Sequence, residues 1–407
     1  MISVLSNLYR STVILVFALI LLPLLYLIDP IWRFRFFVLW SDRIGHLMQF
    51  TEILYYRDMN PLPPRTTYLF FSSPTPSNRQ ILKMFKRKFH IFENIWLLRA
   101  ILAAKPLLAK TRFFVRQPRY ADRHHLLKRN LEPLLSFTEN EMAMGTEFLR
   151  KLGIGKNDWY VCLHARDPAY IGQRSGFGQT VYKSHIRDCP IEDMSLAIKR
   201  IVDKGGYVIR MGAIVANPLP DMGPKVIDYA SEYRTDFLDA FLLAHCHFYF
   251  AGLSGINSIP MMFNRPVGSV NVIPLIRIGA GEREYYYIPK ELRHKADQSN
   301  VSYPALKKLG LFDYTSKEEP IYHQQEIYDK MGIEWVNNSA EDILELCDEI
   351  LDVLDGKKPN DDVSKLRKEY LTFHGELNGP LHSGTIGGQY LIKRQHLFND
   401  IASPKST

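Results

Sequence analysis

The sequence predicts an α/β protein of two domains that follow an amino-terminal membrane helix. Its 407 residues correspond to roughly two or three domains of about 150 residues each. Residues 11–28 carry no charge, and residues 159–273 alternate between short apolar runs and amphipathic stretches. This alternation is typical of a parallel sheet with helices on its faces. A composition of 46% hydrophobic and 23% charged residues excludes a disordered chain.

Residues 1–35 are predicted to be a membrane anchor. Ser11–Ile28 is long enough to cross about 30 Å of hydrocarbon, and no small-residue cleavage site follows it as in a signal peptide. The arginines that follow it are Arg33, Arg35 and Arg43. Through the positive-inside bias they place the rest of the chain at the cytoplasmic face of the inner membrane. Pro23 leaves open an interfacial or re-entrant helix, and a buried hairpin is a further alternative. The predicted aromatic belt consists of Trp32, Phe34, Phe36, Phe37 and Trp40.

Residues 36–152 are predicted to form a first α/β domain. Thr67–Ser72 and Phe113–Val115 are short apolar runs, and Gln80–Phe92 has apolar residues at helical spacing. Between residues 79 and 129, fourteen Lys and Arg stand against two acidic residues, so this segment has a net charge of +12. We interpret it as a surface for anionic membrane lipid and not for nucleic acid, because its aromatic residues recur at the spacing of a packed helix.

Residues 153–355 are predicted to form a second α/β domain, which begins at the loop Gly153–Asp158. Its predicted strands are Trp159–His164, Tyr207–Arg210, Lys225–Tyr229, His247–Ala251 and Val267–Ile273. Its predicted helices are one that begins at Pro190, then Asp236–Ala244, Gly255–Phe263 and Ser339–Leu354. Residues 356–407 are expected to form a return segment that packs against other parts of the protein.

Polar residues follow two of these strands. In an open parallel sheet, ligands bind beyond the carboxyl ends of the strands. His164 and Arg166 lie at one such end, and a guanidinium can hold phosphate oxygens through two hydrogen bonds. Ser254 and Gly255 begin a helix after another strand, where backbone amides attract anions. Together they predict a clamp for a diphosphate, while a surface salt bridge and a tight turn are the alternatives.

Several motifs for metal and nucleotide binding are missing from the sequence. No two aspartates are separated by a single residue, so there is no D-x-D pair for a divalent cation, and there is no P-loop. The adjacent ligands at His245–His247 cannot wrap one tetrahedral ion, and we interpret them as a helix-to-strand junction. Neither a metal nor another cofactor is therefore expected. Gly172–Gly178 predicts either a lid over the donor or an irregular loop.

Several segments of the chain resemble a family of bacterial glycosyltransferases that is distantly similar to the GDP-fucose-dependent fucosyltransferases. These segments are Val161–Asp167, Ser184–Glu192, Gly205–Gly212, Phe250–Ile256 and, as the first strand-to-helix loop, Arg43–Leu47. The resemblance implies a GT-B-like fold of two Rossmann-like domains with parallel sheets. It implies that residues 36–152 bind the acceptor and that residues 153–355 bind a nucleotide-sugar.

The resemblance also implies roles for single residues. The nucleotide-sugar would be bound by His164, Arg166, Asp228, Ser254 and Gly255. Arg166 and Ser254 would neutralise the donor diphosphate, Asp228 would lie near the ribose or base, and the loop that carries His46 would face the acceptor. We take Arg166 as a candidate catalytic residue and His46 as the candidate general base.

The predicted function is a membrane-attached glycosyltransferase of bacterial surface polysaccharide synthesis. It would move a hexosyl or fucosyl group from a nucleoside-diphosphate donor to a glycan or lipid-linked acceptor. A membrane-associated protein that binds an anionic ligand, and a catalytically inactive scaffold of the same fold, are the alternatives.

Overall fold

The computed structural model describes residues 11–118, 122, 132–166, 185–273, 284–302, 304–305, 325–378 and 384–397. These residues form two compact units. The first comprises the described residues up to Asp122 together with Pro133–Thr138, and the second comprises Glu132 and the described residues from Glu139 onward. Each unit contains a parallel sheet with helices packed on it, which confirms the predicted α/β class.

The strands are β1 (Arg33–Val38), β2 (Thr66–Phe71), β3 (His90–Phe92), β4 (Tyr160–His164), β5 (Tyr207–Arg210), β6 (Val226–Ile227), β7 (Phe248–Gly252), β8 (Val267–Val272), β9 (Tyr285–Pro289), β10 (Glu291–His294), β11 (Ile333–Val336) and β12 (Thr385–Ile386). The helices are α1 (Ser11–Ile28), α2 (Ile44–Leu54), α3 (Arg79–Lys86), α4 (Ile95–Leu108), α5 (Glu139–Lys151), α6 (Ser195–Asp203), α7 (Tyr229–Glu232), α8 (Asp236–His245), α9 (Ser258–Met262), α10 (Gln325–Lys330), α11 (Ala340–Leu354), α12 (Asp361–Asn378) and α13 (Gly388–Lys393).

The first unit contains a three-stranded parallel sheet in the order β1-β2-β3. Phe114 extends it through an isolated parallel bridge to Phe36. The predicted helix Gln80–Phe92 is wrong in its second half, because α3 ends at Lys86 and the chain continues as β3. Phe89 continues the apolar spacing although it lies in the turn after α3. Its ring is buried by stacking on the Phe70 ring, with 5.0 Å between the ring centroids.

Helix α1 is long and apolar enough to cross a membrane by length and composition, with a mean hydropathy of 2.7 and 11% of its residues buried. The predicted aromatic belt is wrong for Phe36 and Phe37. Both belong to β1, which pairs with β2, and they are 8% and 1% exposed because they form part of the core. Trp32 and Trp40 flank the strand and are exposed. The predicted end of the anchor after residue 35 therefore falls inside β1.

The second unit contains a seven-stranded sheet in the order β12-β9-β8-β7-β4-β5-β6, in which all neighbouring strands are parallel. Strands β10 and β11 form a separate antiparallel pair. The predicted strand Tyr207–Arg210 is found with the same bounds. The predicted strand Lys225–Tyr229 shortens to β6 because Tyr229 already begins α7. The topology therefore brings the carboxyl ends of seven strands to one edge of the sheet.

The continuous part of the second unit begins with α5, before the predicted boundary at Gly153. A methyl group added at Gly145 would collide with the Phe241 ring of α8, so the missing side chain allows α5 to pack closely on α8. The described part of the return segment belongs to this same unit. Its strand β12 pairs with β9, and the guanidinium of Arg367 in α12 donates to the carbonyl oxygen of Ile386 over 2.9 Å.

Candidate functional site

The candidate site lies at the carboxyl edge of the seven-stranded sheet. Arg166 follows β4, Ser254 follows β7 and Lys290 follows β9. These three strands and β8 are neighbours in the order β9-β8-β7-β4. Since parallel strands in this order end at the same edge, the segments that follow them line one continuous surface. Asp167 and Gly172–Gly178, which the sequence assigned to this region, lie outside the described residues.

Arg166 is a largely buried cation whose hydrogen-bonding capacity is only partly used. Its side chain is 11% exposed, and its Nε atom lies 3.8 Å from Oδ1 of Asp188. Its Nη1 atom is buried and has no hydrogen-bond partner among the residues that the structure describes. Burial lowers the pKa of the Arg166 guanidinium while the Asp188 carboxylate opposes this change. Arginine nevertheless stays charged in proteins, so unmet donors on a buried guanidinium favour an anionic ligand.

Lys290 is the second cation of the site, and sequence analysis missed it. It is 7% exposed, and its ammonium donates to the backbone carbonyl oxygen of Asp188 over 3.2 Å. Burial lowers the pKa of Lys290 to about 8, and the charge of Arg166 acts in the same direction. The available signal was a lysine placed directly after the apolar strand run Tyr285–Pro289.

Two asparagines fix the strand ends beside Lys290. The backbone amide of Asn271 donates to Oδ1 of Asn338 over 2.6 Å, and the backbone amide of Asn338 donates to Oδ1 of Asn271 over 2.7 Å. Nδ2 of Asn338 donates to the carbonyl oxygen of Pro289 over 2.7 Å, which holds the residue before Lys290. Nδ2 of Asn271 donates to the thiol sulfur of Cys189 over 3.2 Å. This network ties Lys290 and the Asp188 segment to the same edge.

Cys189 is a neutral packing residue of this network. It is buried, and burial raises the pKa of its thiol to about 11. A Cβ atom added at Gly252, the last residue of β7, would lie 3.0 Å from the Cβ atom of Cys189. The glycine therefore lets the Asp188–Cys189 segment lie directly on the end of β7, and the protonated thiol places no negative charge near the two cations.

Ser254 lies at the predicted edge directly before the predicted helix, and Gly255 is the first residue of the helical segment. The chain forms a short 3-10 turn at Gly255–Asn257, and α9 begins only at Ser258. Pro260 has no amide hydrogen, and proline is tolerated in the first turn of a helix, where this amide has no intrahelical partner. Binding of an anion by the backbone amides at the start of this segment stays a prediction. The backbone and hydroxyl of Ser254 remain near the edge.

Asp228 follows β6, two strands away from β4 in the sheet. Its carboxylate lies 3.3 Å from Nη1 of Arg210, and it accepts a hydrogen bond from the backbone amide of Leu219 over 2.8 Å. The side chains of Arg210 and Asp228 are 5% and 9% exposed, so this is a buried ion pair that holds the loop after β5. Its contact with a ribose or base stays a prediction.

His164 and His46 occupy different environments in different units. His164 is the last residue of β4 and lies opposite Ala251 of β7, next to the candidate site. His46 belongs to α2 of the first unit, where its ring centroid lies 5.0 Å from that of Trp40 and 4.8 Å from that of Phe50. Aromatic packing accounts for the half-buried His46 ring, and its role as a base stays a prediction.

The adjacent side chains at His245–His247 have separate partners. Nδ1 of His245 lies 2.8 Å from the carbonyl oxygen of Phe241, and the His247 ring packs on Trp159. The thiol of Cys246 is buried and donates to the carbonyl oxygen of Leu243. This is the helix-to-strand junction between α8 and β7. Within the described ranges, no group of three or more His, Cys, Asp or Glu side chains could hold a metal ion.

No protein-family model matches the chain, and no curated protein matches it by sequence. Solved structures do resemble it. A glycosyl transferase family 9 protein from Veillonella parvula has 11% identity and a TM-score of 0.41, with 77% of this chain and 97% of that chain covered. The ADP-heptose lps heptosyltransferase II of E. coli has 14% identity and a TM-score of 0.35, with 58% and 84% covered. A UDP-N-acetylglucosamine 2-epimerase has 12% identity and a TM-score of 0.33, with 81% and 99% covered.

These neighbours include glycosyltransferases of the GT-B-like class. The similarity to fucosyltransferases stays a prediction.

Proposed function

We propose that this protein is a glycosyltransferase that takes its sugar from a nucleoside diphosphate at the carboxyl edge of the seven-stranded sheet. The observation that carries the proposal is the pair of buried cations, Arg166 and Lys290, beside the end of β4 and the end of β9. Both contact the Asp188 segment, one through its carboxylate and one through its backbone carbonyl. Asp188 faces both cations and Asp193 also acts on Lys290, but Nη1 of Arg166 has no hydrogen-bond partner among the described residues, so a doubly charged diphosphate fits the site.

The reaction we propose is displacement at the anomeric carbon of the sugar. The bond between this carbon and the diphosphate oxygen breaks, and a bond from the acceptor hydroxyl oxygen forms. The guanidinium of Arg166 and the ammonium of Lys290 bind the diphosphate and stabilise the negative charge that grows on it. The acceptor proton passes to a general base, for which His46 is the candidate. The positive charge comes from side chains, so the proposed reaction requires no metal.

We further propose that the acceptor is a glycan or a lipid-linked glycan of bacterial surface polysaccharide synthesis, and that the protein works at the cytoplasmic face of the inner membrane. The apolar helix α1 and the cationic residues of the first unit support the membrane location. The candidate donor sugars are hexosyl, fucosyl and heptosyl groups, of which the heptosyl group is included because a neighbouring structure is named for ADP-heptose.

The proposal is tested by measuring thermal unfolding of the full chain with ADP, GDP and UDP. A ligand at one hundred times its Kd stabilises the native protein by about 2.7 kcal/mol, so one diphosphate should raise Tm. Arg166→Ala should abolish this increase. Arg265→Ala is the matched control, because Arg265 precedes β8 at the opposite edge and donates to the carbonyl oxygen of Ala244 over 2.7 Å.

Two other results would contradict the proposal. If none of the three nucleotides raises Tm, the site does not bind a nucleoside diphosphate. If one nucleotide binds but no nucleotide-sugar is consumed with any glycan or lipid-linked acceptor, the protein is the anionic-ligand-binding or inactive scaffold alternative.

A further inference from the structure

Two helices of the first unit bury one side in the same hydrophobic cluster. Helix α1 contributes Phe17 and Leu22, and the sheet contributes residues of β1 and β2. The residues that α4 contributes are Leu98, Ile101, Ala104 and Leu108. Their spacing of three or four residues marks one face of the helix. Both helices therefore lie against one core, and each has an outward side that this core does not cover.

The outward sides of both helices are apolar. In α1, Leu19 is 67% exposed and Leu27 is 72% exposed, and no charged residue occurs anywhere in the helix. In α4, Trp96 is 64% exposed, and Leu97 and Leu102 are also exposed. A helix on the surface of a soluble protein normally presents polar side chains on the face away from the core. Exposed apolar patches of this kind mark contact with a membrane or a partner.

Helix α1 is fastened to the first unit and is not a free anchor. Asp29, directly after the helix, is buried and pairs with Arg35 at 2.9 Å and with Arg112 at 3.2 Å. The Tyr26 ring packs edge-on against Phe113, with 4.8 Å between the ring centroids. A lipid that contacts the outward side of α1 therefore also lies next to the first unit, because α1 and α4 pack on the same hydrophobic cluster.

The charges around α4 complement an anionic lipid surface. Between residues 95 and 112 the chain has four Lys or Arg and no Asp or Glu. The Arg99 guanidinium lies 5.3 Å from the centroid of the Trp96 ring. Tryptophan beside cationic residues is typical of elements at the level of the lipid headgroups, and each cation near the surface strengthens binding to anionic lipid.

We propose that α1 and α4 together form one membrane-docking surface, whose outward apolar residues enter a single leaflet of an anionic phospholipid bilayer. Helix α4 is thus a second lipid-contacting element besides α1. The first unit sits on the membrane through two helices and is not tethered by one. This docking rests on the proposed membrane location but not on whether the second unit transfers a sugar.

The test places a fluorescent thiol probe at single positions of the full chain. All four native cysteines are buried, so an introduced surface cysteine is labelled selectively. Leu19→Cys reports on α1, Leu102→Cys reports on α4, and Met144→Cys is the control. Met144 is an apolar residue of α5 in the second unit that is 60% exposed, similar to the α4 positions. Because these side chains are exposed, labelling leaves the core intact, and the unchanged Tm of each labelled protein confirms this.

The labelled proteins are mixed with vesicles of phosphatidylglycerol and phosphatidylethanolamine that carry a spin-labelled lipid quencher. We expect the probes at positions 19 and 102 to be quenched several-fold more than the probe at position 144. Quenching at position 19 with none at position 102 would leave α1 as the sole anchor and overturn the proposal. A probe at position 102 that is shielded from aqueous iodide before lipid is added would assign this face to a second copy of the chain and would also overturn it.

Discussion

Lys290→Met should make the protein more stable and at the same time unable to bind a diphosphate. Burial lowers the pKa of Lys290 from 10.5, the ordinary value for lysine, to about 8. At pH 7 this change corresponds to about 3 kcal/mol of lost stability, because the charged ammonium is held in a buried position. Methionine avoids this cost but loses the hydrogen bond to the carbonyl oxygen of Asp188, which contributes about 1 kcal/mol. The net gain is about 2 kcal/mol, or a Tm increase of about 4–8 °C for a unit of this size.

The pH dependence of stability gives the same prediction a second readout. Since the pKa of Lys290 is depressed in the folded state, the unfolded chain binds more protons between pH 8 and pH 10.5. The free energy of unfolding of the wild type should therefore gain about 3 kcal/mol from this group as the pH rises through this window. Lys290→Met should lack this contribution.

The assay is thermal unfolding of the full chain in detergent at several pH values. Lys225→Met is the matched control. The ammonium of Lys225 also donates to a backbone carbonyl oxygen, that of Gly205, over 2.9 Å. Unlike Lys290, Lys225 is only half-buried, at a position before β6. The control should not gain stability. If Lys290→Met lowers Tm as the control does, the ammonium of Lys290 stabilises the fold and the expected gain in stability is wrong.

Three further predictions concern the site and the packing of the second unit. Arg166→Ala should lower kcat by about a hundredfold or more with little change in Tm. Arg166→Lys should restore little of this kcat, because an ammonium cannot form two parallel hydrogen bonds. Near-normal turnover of the alanine variant would remove Arg166 from the site. Glycosyl transfer should persist in excess EDTA, whereas loss of activity that Mn²⁺ restores would show that a metal takes part. Gly145→Val should lower the free energy of unfolding by about 2 kcal/mol or more, because the valine side chain collides with Phe241. The measurement is a urea titration, and an unchanged midpoint would contradict the close packing of α5 on α8.

Sequence patterns predicted the second unit better than the first. Strand β5 was predicted with its observed bounds because Tyr207–Arg210 is an apolar run bounded by glycines and by a loop. The helix Gln80–Phe92 was wrong because Phe89 keeps the helical spacing while it packs on β2 from a turn. The spacing of apolar residues along the chain indicates which side chains are buried, but it does not indicate which element they pack against.

The candidate site was predicted only where a motif marked it. Arg166 was found because it follows a recognisable strand end, whereas Lys290 was missed because a lone lysine in the sequence usually lies at the surface. Its burial depends on Asn271 and Asn338, which are far apart in the sequence. Asp228 was assigned to the ligand, but its observed partner, Arg210, lies on the neighbouring strand. Contacts of this kind between distant segments leave no local pattern.

Proton uptake on nucleotide binding shows whether a nucleoside diphosphate binds against Arg166 and Lys290. With a pKa of about 8, Lys290 is half protonated at pH 8 in the free protein, and a bound diphosphate should hold it fully protonated. Titration calorimetry at pH 8 in buffers of different ionisation enthalpy should therefore show uptake of about 0.5 proton per nucleotide. We expect this uptake for the wild type and for Lys225→Met. Nucleotide binding by the wild type without proton uptake would contradict it.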